Sequence, residues 1–227
     1  YYEMAFSPDV ADMHIVGAVD QNQVASSLGS LEENWANKPV DLPEIETPEP
    51  PSESTVYFYD VPGAKQSVLR FGYLAMPETH PDFYPATIMN YKLGGGGFAS
   101  RLTQELREGK GSTYGIGSGF SGTDIAGPFM ISSGVRTNVT YESAALVKEI
   151  LEEYPETFSD EDLENTKSYL LKSNARRFET LGAKLNLLSD ISAYGWEVDY
   201  IKEREEQVRN ITKQEIADLA RKYANPD

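Results

Sequence analysis

Apolar and polar positions along the chain change their period several times. Residues 12–19 are apolar and β-branched and predict a strand. Val24, Leu28 and Leu31 recur at near-helical spacing and predict a helix over 21–34. Residues 56–59 and 67–74 read as two strands, with Pro62 and Gly63 turning the chain between them. His80, Pro81 and Asp82 open a helix predicted to reach Leu93; the four glycines 94–97 interrupt it, and a second helix follows from about 98 to 107. Residues 112–120 and 127–135 read as paired strands joined by a turn at 122–125. The remainder is helical. Thr140 is expected to cap a helix over 141–153, whose apolar face carries Val147, Ile150 and Leu151. A long helical stretch follows at about 160–193, in which Gly182 is a candidate kink. Ser159 with Asp162, and Thr212 with Glu215, have the spacing of capping boxes.

Strands joined by short turns are antiparallel, and helices that arrive in pairs suggest a sheet covered on one face. The expected class is α+β: a two-layer α/β sandwich, its sheet mostly antiparallel and its helices packed on one face. Between positions 36 and 54 five prolines alternate with five acids, among them Pro39, Asp41, Pro43 and Glu44, which is the composition of an extended connector. The expected organisation is an N-terminal β-α unit at 1–35, a connector at 36–54 and the main domain at 55–227.

Charge narrows the partners. The chain has 227 residues, and 36 acids against 20 bases leave a formal net charge of −16. Such a chain repels phosphate backbones and anionic lipid, and it holds no run of Lys and Arg, so neither nucleic acid nor membrane is expected as a partner. No stretch approaches the ~20 apolar residues of a membrane-spanning helix. The absence of cysteine removes disulfides, thiolate metal sites and cysteine nucleophiles, and leaves the compartment open. His14 and His80 are the only histidines. Neither sits in an H-x-x-E-H arrangement or in its reverse, so histidine catalysis is not expected, and a metal site would have to recruit both histidines across 66 residues or use carboxylates alone. A sequence that opens on Tyr1 is expected to be a processed product or an excised piece.

Three motifs carry candidate chemistry. Gly94, Gly95, Gly96 and Gly97 follow a predicted helix, not a strand, and so fail the context of a phosphate loop. They read either as a helix–helix corner that needs positive φ or as a strip of backbone along which an extended peptide lies. Arg101 and Glu105 are spaced as an i,i+4 helical pair. Arg107 and Tyr114 sit seven apart, one at a helix end and one at a strand start. So placed, they can hydrogen-bond a substrate carbonyl or carboxylate; alternatively, Arg107 satisfies the last carbonyls of its own helix. Asn138-Val-Thr140 and Asn210-Ile-Thr212 match glycosylation acceptors, although each threonine also reads as a helix cap.

The segment NYKLGGGGFASRL at 90–102, followed by LREGKGSTYG at 106–115, resembles the pitrilysin/insulysin zinc metallopeptidases, which include mitochondrial processing peptidase. The similarity is to their C-terminal, noncatalytic half. MHIVGAVD at 13–20, Gln66-Ser67 with Gly72, and SDEDL at 159–163 extend it over nearly the whole chain. The resemblance implies the LuxS/mitochondrial processing peptidase-like metallohydrolase fold. It also implies a partner, a homologous zinc-bearing half in cis or in trans, and an unfolded peptide as substrate. Zinc is expected in that partner half; because this chain lacks the H-x-x-E-H motif of such a half, the resemblance implies no cofactor, no metal ligand and no catalytic residue in it. At the matching motif positions, Arg107 and Tyr114 are implied to reach the bound peptide, and glycines 94–97 to handle it. The alternative is a peptide-binding or scaffold protein of the same fold without peptidase activity. FSPD at 6–9 and YANPD at 223–227 look like the same lead-in to a strand, so the chain is expected to carry the last β-α unit of a preceding domain, then most of its own.

Overall fold

The computed structural model describes residues 2–46, 48, 49, 51 and 53–226. Among them, one sheet of three antiparallel strands forms, in the order β1-β3-β2: β1 is Gln66–Met76, β2 is Thr113–Phe120 and β3 is Gly127–Arg136. Burial along β3 alternates strictly, with Phe129, Ile131, Ser133 and Val135 inward, which is the mark of a sheet packed on one face. Phe71 stands opposite Ile131 on β1, and Phe120 opposite Phe129 on β2. The α+β sandwich read from the sequence is the observed class.

The chain divides into two compact units, residues 1–46 with 173–198, and residues 47–172 with 199–227. The first unit holds α1 (Gln21–Asn34), which begins in a reciprocal capping box between Asp20 and Gln23, and α6 (Leu181–Tyr194). Ser7 is fully buried there, and its hydroxyl accepts from the Lys38 amide at 3.1 Å. The second unit holds the sheet with α2 (Phe83–Asn90), α3 (Arg101–Thr103), α4 (Thr140–Thr157), most of α5 (Asp160–Ser173), α7 (Tyr200–Asn210) and α8 (Lys213–Tyr223). Its core joins Ile116, Phe129 and Ile131 of the sheet to Ile88 and Met89 of α2, Val147 and Tyr154 of α4, and Ile216 of α8. Tyr154 is fully buried and donates its hydroxyl proton to the Met89 carbonyl at 2.8 Å.

Several expectations are corrected. Residues 12–19 and 56–59 form no strand. Their side chains have β propensity, but that preference expresses packing against a neighbouring strand, and neither segment has one: Val56, Tyr57, Phe58 and Tyr59 are 83–92% exposed. His14 therefore lies in irregular chain and not within a strand. The long helix expected over 160–193 breaks after Ser173 into a 3-10 turn, Asn174–Phe178, and restarts behind Thr180, whose side chain accepts from the Ala183 amide at 3.1 Å. Gly182 sits in the first turn of α6 and is no kink. Thr212 and Ser159 cap as expected. Thr140 does not: its hydroxyl bonds Ser67 and the Thr137 carbonyl, and it is itself the first residue of α4. That helix runs past 153 and through Pro155 to Thr157, where Arg101 binds the hydroxyl and the carbonyl of Thr157 and so satisfies acceptors of the last turn. Arg101 thereby pairs with Thr157 and Asp162, not with Glu105. Within the connector expected over 36–54, the described residues form neither helix nor strand, while Thr47, Pro50 and Ser52 lie outside the described residues. So do Tyr1 and Asp227, the latter the end of the lead-in expected at 223–227.

Candidate functional site

Two π-helical turns frame the site where regular helix was expected. α2 passes directly into the first, Tyr91–Gly95, closed by the Gly96 amide donating to the Tyr91 carbonyl at 2.7 Å. The widened turn lets the chain lie against β2. A Cβ added at Gly94 would stand 2.2 Å from the Ser118 hydroxyl and 2.8 Å from the Ser118 nitrogen, so this contact requires glycine. Gly97 then takes φ +57° and starts a short 3-10 turn, Gly97–Ala99, which presents Phe98. The corner reading of the glycine run is thus the observed geometry. Gly94 is buried and Gly96 half-buried, whereas Gly95 and Gly97 are exposed.

The helix expected over 98–107 is likewise composite. After α3 comes the second π turn, Gln104–Gly109, which carries Arg107. Local widening of this kind recurs at functional sites, because it redirects side chains without ending the helix. Hydroxyls tie the segment to the sheet. Ser100 donates to the Gly97 carbonyl at 2.7 Å, and Thr103 donates to the Ile116 carbonyl of β2 at 3.1 Å.

Tyr114 is set by β2. Thr113 pairs with Val135 and Ile116 with Ser133, so a bulge falls at Tyr114 and Gly115. The Thr113 hydroxyl pins it, accepting from the Gly115 amide at 3.0 Å and donating to the Gly134 carbonyl at 2.7 Å. The Tyr114 ring is left 88% exposed.

These supports bring Arg107 and Tyr114 together. The Arg107 guanidinium carbon lies 5.1 Å from the centroid of the Tyr114 ring and 4.4 Å from that of Phe98. Its Nε sits 3.4 Å from a Glu108 carboxylate oxygen, and among the described residues its terminal nitrogens make no hydrogen bond. The arginine therefore offers a planar pair of donors at an exposed aromatic surface, suited to a carbonyl or carboxylate oxygen. Phe98 was not singled out by sequence. The signal was present, an apolar side chain directly after a glycine run, but it reads equally well as the first core position of a helix.

Behind the site, Asp162 at the start of α5 receives Lys92 from the first π turn and Arg101 from α3, each at 3.0 Å. Burial pushes its carboxyl up, but hydrogen bonds from the Ser159 amide, Lys92, Arg101 and the Ser159 hydroxyl outweigh burial and hold it at about 2. Among the described residues no three His, Asp or Glu side chains converge as metal ligands, and His80 already accepts from the Asp82 amide through Nδ1 at 3.1 Å. No helix of the described residues is long and apolar enough to cross a membrane.

Comparison with known proteins places this architecture. A Helicobacter pylori protein, "Non-peptidase homolog YmxG", is 27% identical over 193 residues, 82% of this chain and 42% of that protein. A Bacillus subtilis protein, "Probable inactive metalloprotease YmfF", is 25% identical over 227 residues, 95% of this chain and 50% of that protein. Among solved structures, the peptidase M16 inactive domain from Pseudomonas fluorescens matches with a TM-score of 0.82 and 26% identity, over 93% of this chain and 50% of that one. A Helicobacter pylori protease shares the fold with a TM-score of 0.76 at 17% identity, over 93% of this chain and 51% of that one. The chain thus spans about half the length of the relatives it matches. Residues 1–170, three quarters of the chain, match the peptidase M16 inactive domain, and the chain belongs to that family.

Proposed function

We propose that this chain is the noncatalytic half of a zinc metallopeptidase. It closes over a homologous zinc-bearing half, in cis or in trans, and helps to bind and orient an unfolded peptide for hydrolysis. The observation that carries the reading is the Arg107–Tyr114 pair: a donor fork with free terminal nitrogens beside an exposed phenol, on supports fixed to the sheet. Arg107 would hold the carbonyl oxygen of the bond to be cut and stabilise the negative charge that develops on it, with Tyr114 as a second donor. Gly94, Gly95, Gly96 and Gly97 would form the strip beside which the peptide lies, with Gly95 and Gly97 as its exposed positions.

A second reading has its own support. Two relatives carry the printed names "Non-peptidase homolog" and "Probable inactive metalloprotease". On that reading the same surface binds peptide and no bond is cut.

The deciding experiment is zinc content and hydrolysis of an unstructured peptide by the native assembly, purified without chelator. About one zinc per copy of this chain, with cleavage that is weakened in Arg107→Ala, supports the first reading. Peptide binding with neither zinc nor cleavage supports the second. An assembly that does not bind peptide overturns both.

A further inference from the structure

Phe98 is nearer to the Arg107 guanidinium than Tyr114 is, 4.4 Å against 5.1 Å, yet it lies outside the hydrophobic core and is 65% exposed. Burial does not account for a phenyl ring held in that place. Its backbone is nevertheless closely fixed. Gly97 takes the φ of +57° that starts the turn, Ser100 closes that turn onto the Gly97 carbonyl, and Thr103 anchors the following residues to β2. The Cα–Cβ bond of Phe98 therefore has a set direction relative to the strand that carries Tyr114, and its ring lies against the guanidinium. An arginine side chain has several rotatable bonds, and Glu108, itself exposed, restrains only Nε. A ring against the guanidinium face limits the remaining rotation and leaves the terminal N–H groups directed outward.

We infer that Phe98 is a positioning residue for Arg107: its ring fixes the plane of the guanidinium so that the terminal nitrogens meet a peptide oxygen already oriented. The inference rests on the peptide-handling reading of the site, and it adds a residue to which nothing in the motif assigns a role. The chemistry is specific. A ring of any aromatic type provides the electron-rich face, whereas an aliphatic side chain of similar bulk fills the space without it.

The test measures binding of a fluorescein-labelled, unstructured basic peptide to the native assembly by anisotropy. Phe98→Leu is expected to weaken binding about fivefold, the scale of a partly exposed cation–π contact, while Phe98→Tyr stays within about twofold of wild type. In an Arg107→Ala background, Phe98→Leu is expected to have no further effect, since a positioning residue acts only through the side chain it positions. An equal loss in both backgrounds overturns the inference. So does a Phe98→Leu protein that binds as wild type does. A second measurement separates failure of this inference from failure of the functional reading. The Arg107 Nε proton is expected to show a ring-current shift in wild type that Phe98→Leu removes, whether or not any peptide binds. Absence of that change overturns the positioning role. Absence of peptide binding by wild type, with the ring-current shift present, overturns the functional reading instead.

Discussion

Asn90 and Ser118, 28 residues apart, bond each other in both directions: the Asn90 carboxamide nitrogen donates to the Ser118 carbonyl at 2.9 Å, and the Ser118 hydroxyl donates to the Asn90 carboxamide oxygen. Asn90 is 4% exposed, so its amide has little access to water. The pair joins the end of α2 to β2 where the helix widens into its first π turn. Asn90→Ala leaves the Ser118 carbonyl and hydroxyl without this partner. It should destabilise the protein by about 2 kcal/mol, read from the urea midpoint, and more than Ser118→Ala does.

The glycine run separates into positions of different strictness. Gly94→Ala places a methyl against Ser118 and against Leu102 Cδ1 at 2.8 Å, and should cost about 3 kcal/mol because backbone has to move. At Gly97 a Cβ meets nothing within 4 Å, and the cost is conformational only: Gly97→Ala should lose about 1 kcal/mol. Thermal melts of the two variants compare these directly.

On the peptidase reading proposed above, Arg107→Ala should lower kcat/KM of the native assembly tenfold or more, at least ~1.4 kcal/mol of transition-state stabilisation, with little change in melting temperature. Arg107→Lys should not restore the rate, because an ammonium cannot present two parallel donors or lie flat against Phe98. An unchanged kcat/KM in Arg107→Ala removes the assigned role.

Acid should weaken the support behind the site. The Asp162 carboxyl is held at about 2 when folded, against about 3.9 when unfolded. Between those values the unfolded chain binds a proton that the folded one does not. The contribution of Asp162 is therefore complete above about pH 4 and is lost as pH falls to about 2. Urea midpoints measured from pH 5 to pH 2 should fall more steeply for wild type than for Asp162→Asn, whose curve lies lower at pH 5 because Lys92 and Arg101 lose their carboxylate.

What the sequence discloses follows from what kind of interaction decides each element. The α1 limits and the Thr212 box depend on neighbours within a few residues, and the β2–β3 pair is announced by two apolar runs joined by a short turn, so these are legible. The segments at 12–19 and 56–59 have the composition of strands, but a ladder needs a second chain segment, which local pattern cannot supply. Neither π turn is legible in the pattern, since they are set by Gly94 lying against Ser118 and by Thr103 bonding Ile116, contacts across 24 and 13 positions. Arg107 and Tyr114 were visible through their motif. Phe98 was not, because its partner lies nine residues on and the face it presents depends on the φ of Gly97.

The bulge in β2 has a further consequence. Along a regular strand, residues three apart point to opposite faces, yet Thr113 and Ile116 oppose Val135 and Ser133, both inward on β3. One surplus residue in the backbone reconciles them, so the position of Tyr114 depends on chain length as well as on side-chain chemistry. Deleting Gly115 would leave every functional side chain in the sequence and still give the phenol a different heading. A survey of substitutions at this strand would overlook that dependence, and a scan of one-residue deletions would find it.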